Sequence, residues 1–229
     1  MRWDGLIWDV DGTLAYTEKE AHLPACNAAF AALGIPIQWS WEEFQGLLTI
    51  PGNHLRMAEA LRSLPSPPKD LEELARRLAD LKRKLYLETF LRRTRLRAGV
   101  RDWIREARRR GLRQAIVSTT DEEQISALLR LHFADEASWF APVLGKRAGR
   151  KTAPDSPLYR RCLEEWGLPP ERVLAIEDSA VGLQAARAAG LPCLVVFNDY
   201  TAGQDFRMAD WVADSLARLS LDQLARKER

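Results

Sequence analysis

The chain of 229 residues is 46% hydrophobic and 29% charged, with 34 Lys/Arg against 32 Asp/Glu for a net charge of +2. That length accommodates one domain with an inserted subdomain and a core that needs no disulfides, while the near-balanced charge speaks against a globally basic nucleic-acid binder. Cys26, Cys162 and Cys193 are far apart without a C-x-x-C pair, so buried reduced thiols are expected, and neither a zinc site nor a disulfide framework.

The N-terminal MRWDGLIWDVDG carries acids inside its apolar stretch and does not read as a signal peptide. No run approaches the ~20 uninterrupted apolar residues of a membrane helix, and a cytoplasmic protein is expected. Asp4–Val10 is short, apolar and bounded by DG at both ends, which predicts a buried strand. Residues 17–93 show helical patterns between breakers and no strand. Lys19–Leu33 ends at Gly34, Trp41–Leu48 near Pro51 and Gly52, and Asn53–Leu64 at Pro65–Pro68. Asp70–Phe90 keeps the three-to-four spacing of a long amphipathic helix.

The rhythm then changes to strand–helix alternation. Helix Gly99–Arg110 precedes strand Arg113–Ser118, helix Asp121–Leu131 and a short apolar segment at Ala141–Leu144. Helix Pro157–Trp166, strand Val173–Ile176, helix Ala180–Ala189, strand Cys193–Phe197, strand Trp211–Ala213 and helix Leu216–Arg226 complete the pattern. Apolar strands alternating with helices imply an α/β fold: a Rossmann-like parallel sheet covered on both faces. The helical block at 17–93 is expected to be an inserted cap, and 1–16 with 94–229 the core. From Arg76 to Arg113 fifteen Lys/Arg face four Asp/Glu. Solvated faces of two Arg-rich helices are the expected reading, and a wall facing an anionic substrate or RNA is the sharper one.

Four short stretches at strand ends carry chemistry. In Asp9-Val10-Asp11-Gly12-Thr13 two carboxylates two residues apart point the same way from a strand, and Gly12 lets the chain turn straight after them. Acids this close call for a cation such as Mg²⁺, although an acidic turn alone would look the same. Glu177-Asp178 follows the apolar VLAI run, where acids are costly unless capping, solvated or metal-bound. Ser118-Thr119-Thr120 offers hydroxyls and amides for phosphate oxygens or simply starts a helix. Lys151 lies in the basic loop GRKTAPD.

Taken together, the order D-x-D-G-T, Ser/Thr after a strand, K-x-x-P-D and E-D-S resembles the haloacid dehalogenase superfamily of phosphohydrolases, and EDSAVGLQAARAAG is a typical stretch of it. The resemblance covers essentially the whole chain. It implies that Asp9 attacks phosphorus to form an aspartyl-phosphate and that Asp11 serves as acid and base. It places Mg²⁺ between Asp9, the main-chain carbonyl of Asp11 and Asp178, with Glu177 nearby, and it has Ser118 and Lys151 hold phosphoryl oxygens. Lys146 is the lesser contender for the lysine.

The helical insertion is similar to the cap of the subclass that includes β-phosphoglucomutase. A finer resemblance is to the CbbY-like sugar phosphatases, whose implied substrate is xylulose-1,5-bisphosphate. LAYTEKEAH, VSTTDEEQ and DYTAGQDFRMADWVADSL carry it. It implies substrate contacts from Glu18, His22, Lys82, Gly52, Thr119 and Thr120, with His54 or Arg56 as a basic contact. The loop PGNHLR departs from the family's T-G-G-K-E-R, and Thr152 replaces the usual Pro, which bears on substrate more than on chemistry. A small phosphorylated sugar is the expected partner of a monomer, with no nucleic acid and no membrane. A sugar phosphomutase, or a broad phosphatase such as one for phosphoglycolate, is the alternative within catalysis. An RNA-binding protein using the basic stretch is the alternative outside it.

Overall fold

The computed structural model describes residues 3–50 and 52–225; the predicted breaker Pro51 lies outside them. A six-stranded sheet has the order β3-β2-β1-β4-β5-β6, with every pair parallel. Its strands are β1 Gly5–Trp8, β2 Arg113–Val117, β3 Phe140–Leu144, β4 Val173–Glu177, β5 Cys193–Val196 and β6 Trp211–Ala213. β1, β4 and β5 are buried at every residue, as expected of parallel strands covered on both faces. The crossovers include α5 Val100–Arg109, α6 Glu122–Phe133, α7 Pro157–Trp166 and α8 Ala180–Ala188. Under one face Ile7, Val117, Tyr159, Ala175, Leu183 and Val195 belong to a single apolar cluster.

Register is what assembles the strand ends. Trp8 at the end of β1 pairs with Ile116 of β2 on one side and Ile176 of β4 on the other. Within two residues of these pairs, Asp9, Ser118 and Glu177-Asp178 therefore emerge at one carboxyl edge, where open parallel sheets bind ligands. β1 is shorter than the predicted strand because the chain leaves the sheet at Asp9 and turns at Gly12, whose φ is 79°. The Cβ of any other residue would resist that conformation.

Backbone contacts divide the chain into two compact units: the chain up to Tyr16 together with everything from Leu96, and Thr17–Arg95. The second unit is helical, with α1 Leu23–Ala32, α2 Trp41–Leu47, α3 Asn53–Arg62 and α4 Leu71–Leu85. Phe30, Trp39, Phe44, Met57, Leu61 and Leu78 belong to its own core.

Two of the expected long helices are interrupted. Glu18–His22 and Tyr86–Phe90 are π-helical turns, in which Leu23 N–H donates to Glu18 C=O and Leu91 N–H to Tyr86 C=O. At the first, Pro24 has no N–H with which to continue an α-helical ladder, so the wider turn ends there. The expected helix Leu216–Arg226 is instead a 3₁₀ turn, Leu216–Arg218, followed by α9 Leu221–Ala225. Ser220 and Gln223 cap each other reciprocally and start the second piece; Arg226 lies outside the described residues. Part of the basic stretch is paired with acids: Arg95 with Glu20, Arg101 and Arg105 with Glu136, and Arg110 with Glu106 inside the stretch and with Asp222. Among the described residues no helix is long and apolar enough to cross a membrane.

Candidate active site

At the carboxyl edge of the sheet, residues far apart in sequence meet through their side chains. Asp9 is buried, with Oδ1 2.6 Å from the Lys151 ammonium and Oδ2 accepting from the Thr13 hydroxyl at 3.1 Å. Lys151 also reaches Glu177 Oε1 at 2.6 Å, and the Tyr159 hydroxyl donates to that same oxygen. The other oxygen of Glu177 lies against α8, where a Cβ on Gly182 would come within 1.8 Å of it. Only glycine admits the carboxylate at that point. Lys146 is exposed and stands apart from this cluster, so Lys151 is the lysine the fold brings in.

Asp178 is buried and its Oδ2 accepts from Asn198 Nδ2 at 2.8 Å. The Asp11 carboxylate accepts from the Thr120 hydroxyl, while Thr120 N–H donates to Ser118 Oγ at 3.1 Å. Ser118 is buried and Thr119 is exposed. Ligand oxygens of Asp9, Glu177 and Asp178 all lie within 4.8 Å of one another. Burial is the leading cause that raises all three carboxyls above their usual range, with repulsion adding to it, from Asp11 on Asp9 and from Asp9 on Glu177 and Asp178; Glu177 is pushed up to about 7. Lys151 is held above the ordinary lysine range. Burial pulls it down, but the Asp9 and Glu177 carboxylates outweigh that. Three buried acids against one ammonium leave negative charge that a divalent cation fits, in a hard-oxygen donor set suited to Mg²⁺.

The residues expected in the helical unit separate into two groups. Lys82 is fully buried and its Nζ lies 2.6 Å from His22 Nδ1. An ammonium only donates, so Nδ1 is the accepting atom in this contact. The His22 ring stacks on Tyr86 at 4.4 Å between centroids. Glu18, four residues before His22 on the same π turn, buries Oε2 without a hydrogen-bond partner. The other group lies on α3. Gly52 caps its start at φ 84°, His54 Nε2 is 3.3 Å from Glu72 Oε2, and Arg56 Nε donates to the carbonyls of Leu47 and Ile50 at 3.0 and 2.9 Å. Arg56 thus closes the carboxyl end of α2, where a cation is favoured.

Asn198, Tyr159 and Arg97 are site neighbours that sequence reasoning did not single out. Asn198 opens the turn N-D-Y-T after β5; its Oδ1 accepts from the main-chain amides of Tyr200 and Thr201. A polar residue opening a turn straight after the apolar CLVVF run was the available signal. Tyr159 and Arg97 had none, since each reads as an ordinary residue of a helix or a basic stretch.

A sequence model of the haloacid dehalogenase-like hydrolases matches residues 3–190. The chain is 40% identical to a protein named CbbY from Cereibacter sphaeroides over 224 residues, which is 94% of each chain. It superposes on a crystal structure of CbbY from Rhodobacter sphaeroides in complex with phosphate, with a TM-score of 0.81 and 37% identity over 95% of this chain and 96% of that one. A mutant of that protein in complex with xylulose-1,5-bisphosphate gives a TM-score of 0.79 at the same identity and coverage.

Proposed function

Since the chain belongs to the haloacid dehalogenase-like hydrolases, we propose that it is a Mg²⁺-dependent phosphatase of small phosphorylated sugars, with xylulose-1,5-bisphosphate as leading substrate. The observation that carries this reading is the contact of Asp9 with Lys151 across 142 residues beside the buried Glu177–Asp178 pair. A nucleophile, a phosphate-holding cation and a metal-binding acid then occupy one strand-end cluster.

Asp9 attacks phosphorus and the bond to the leaving sugar oxygen breaks, giving an aspartyl-phosphate. Asp11, oriented by Thr120, gives its proton to that oxygen. It then takes one from the water that hydrolyses the acyl phosphate, so the side chain returns to its starting state. Lys151 and Ser118 hold phosphoryl oxygens as charge shifts among them. Glu177 keeps the lysine in place, which makes it a holder of Lys151 before it is a metal ligand. Mg²⁺, held by Asp9, Asp178 and the Asp11 carbonyl, would offset the repulsion between an anionic nucleophile and an anionic phosphate.

Selectivity is assigned to the helical unit Thr17–Arg95, through Glu18, His22 and Lys82. A cation beside a buried imidazole suits the second phosphate of a bisphosphate. The relative crystallised with xylulose-1,5-bisphosphate supports this choice of substrate. A cytoplasmic monomer completes the reading.

The test is phosphate release with Mg²⁺ from xylulose-1,5-bisphosphate, ribulose-1,5-bisphosphate, hexose monophosphates and phosphoglycolate. Strong preference for the xylulose compound over its ribulose epimer is expected. Activity spread over monophosphates would overturn the substrate, and isomerised sugar phosphate in place of free phosphate would make the enzyme a mutase.

A further inference from the structure

Arg97 is only 5% exposed, and every hydrogen-bond partner that the structure records for its side chain is a main-chain carbonyl. One terminal nitrogen donates to Gly12 C=O at 2.6 Å and to Val196 C=O. The other donates to Phe197 C=O at 2.6 Å and to Asp214 C=O at 3.2 Å. These carbonyls belong to the turn four residues past β1, to the last residue of β5 and the one after it, and to the residue just past β6. Carbonyls at the ends of strands have left the ladder and need donors. A planar guanidinium can serve four of them at once, which a lysine ammonium with three tetrahedral donors cannot.

Two of the gripped carbonyls adjoin the catalytic cluster. Gly12 directly follows Asp11, and a Cβ on Gly12 would lie 2.2 Å from Asp178 Oδ2 and 2.4 Å from the Tyr200 hydroxyl. The Asp178 carboxylate thus packs on the Gly12 backbone, and a displaced Gly12 displaces it too. Phe197 directly precedes Asn198, whose Nδ2 donates to Asp178 Oδ2 at 2.8 Å and lies 3.5 Å from Gly12 C=O. The Arg97 backbone is held separately, by its N–H donating to Leu14 C=O at 2.9 Å. The side chain is therefore not what keeps this stretch beside the Asp11–Ala15 turn.

We propose that Arg97 is a positioning residue for the cation site. By clamping Gly12 and Phe197 together it sets the distance between the Asp9–Asp11 turn and Asp178. The inference rests on the proposed function, since it takes Mg²⁺ as the ion those acids hold. Arg97 itself touches neither substrate nor metal.

The experiment compares Arg97→Lys and Arg97→Gln with the wild-type protein. Mg²⁺ affinity is measured by titration calorimetry without substrate, alongside melting temperature and phosphate release. Outer-shell partners of metal ligands typically govern about 10–100-fold in affinity or activity. Arg97→Lys is expected to fold and to bind Mg²⁺ about tenfold more weakly. Its kcat at limiting Mg²⁺ should fall in proportion, with KM for the sugar phosphate within about twofold, and Arg97→Gln should lose more. Wild-type Mg²⁺ affinity in folded variants would overturn the inference and leave the proposed function standing. So would failure of both variants to fold, which would make Arg97 a residue of the fold. A wild-type protein that binds no Mg²⁺ would instead remove the proposed function, and the inference with it.

Discussion

Two buried polar clusters among the described residues, at the sheet edge and in the helical unit, are built in opposite ways. At the sheet edge the acids come from the ends of β1 and β4, the lysine from a loop before α7 and the hydroxyls from beyond β2. Their placement follows from strand register, which pairs Trp8 with both Ile116 and Ile176. In the helical unit, His22 and Lys82 sit on or beside two π turns, and no ladder sets their spacing. A parallel sheet makes its strand ends converge whatever the loops contain. A pair of irregular helical turns makes only the contacts that its own side chains select. On the proposed function, the first cluster would carry the chemical step and the second would choose among substrates. Changes in the two should separate turnover from recognition.

The largest effect is expected at the sheet edge. Asp9→Asn keeps the side-chain volume and removes the nucleophilic oxygen, so phosphate release should fall by at least about 10⁴-fold. Circular dichroism and the melting transition should stay close to wild type. A variant that turned over at a tenth of the normal rate would show that the cluster works without Asp9 as nucleophile, and the contrast between the two clusters would lose its first half.

Lys82→Met tests the second half. Methionine fills a similar volume in a fully buried site but leaves His22 Nδ1 without its donor and removes a positive charge. On the proposed function, a charged hydrogen bond from Lys82 to the second phosphate is worth about 1.5–3 kcal/mol, so KM for a bisphosphate should rise by roughly 10–100-fold. Hydrolysis of a small artificial phosphate ester should change little. Loss of both activities in equal measure would place Lys82 in the chemical step.

The difference in construction also explains what the sequence made legible. The strands and their order of appearance were readable because fully buried strands are continuous apolar runs, as in Gly5–Trp8 and Cys193–Val196. The D-x-D-G-T and E-D-S stretches stood out because acids directly after such runs are expensive unless used. The π turns were not readable: the apolar spacing through Lys19–Leu33 and Asp70–Phe90 fits an unbroken helix, and Pro24 alone hinted at the break. Nor could sequence show that Arg56 is engaged with Leu47 and Ile50. Tertiary hydrogen bonds between an arginine and carbonyls six and nine residues back leave no periodic trace. Arg97 was hidden for the same reason, since its partners are set by how the ends of β1, β5 and β6 converge at one edge of the sheet, and Asn198 was marked only by its place after an apolar run.

The acid cluster makes a smaller prediction through pH. Asp9, Glu177 and Asp178 are raised in the folded protein, with burial as the leading cause. A raised group contributes stability that is complete below its unfolded pKa and lost as pH climbs through the folded value. For Glu177 that window runs from 4.5 to about 7. Protein in chelator should therefore melt several degrees lower at pH 8 than at pH 5.5, and saturating Mg²⁺ should remove most of the difference. Asp205, whose carboxyl is lowered to about 2 by its hydrogen bonds to Arg207, acts below this window and does not mask it. A melting temperature in chelator that is flat from pH 5.5 to 8 would mean that the three acids do not strain the metal-free fold.

The smallest effect separates a basic residue that recognises substrate from one that only holds the scaffold. Either His54 or Arg56 is the basic contact the resemblance implies, yet the Arg56 guanidinium is committed to the carbonyl of Leu47 at the end of α2 and to those of Leu48 and Ile50 just past it, and lies 6.0 Å from the Phe44 ring centroid. Arg56→Gln keeps a donor but loses the charge and the fork, which should cost about 1 kcal/mol of stability, or about 2–4 °C in melting temperature for a chain of this size. KM for xylulose-1,5-bisphosphate should stay within about twofold of wild type, because an interaction spent inside the helical unit is the same in free and bound protein. A KM raised tenfold with an unchanged melting temperature would reverse the assignment. The α2 carbonyls would then be a resting place for a side chain whose work is to meet phosphate, and recognition would extend from the π turns to the start of α3.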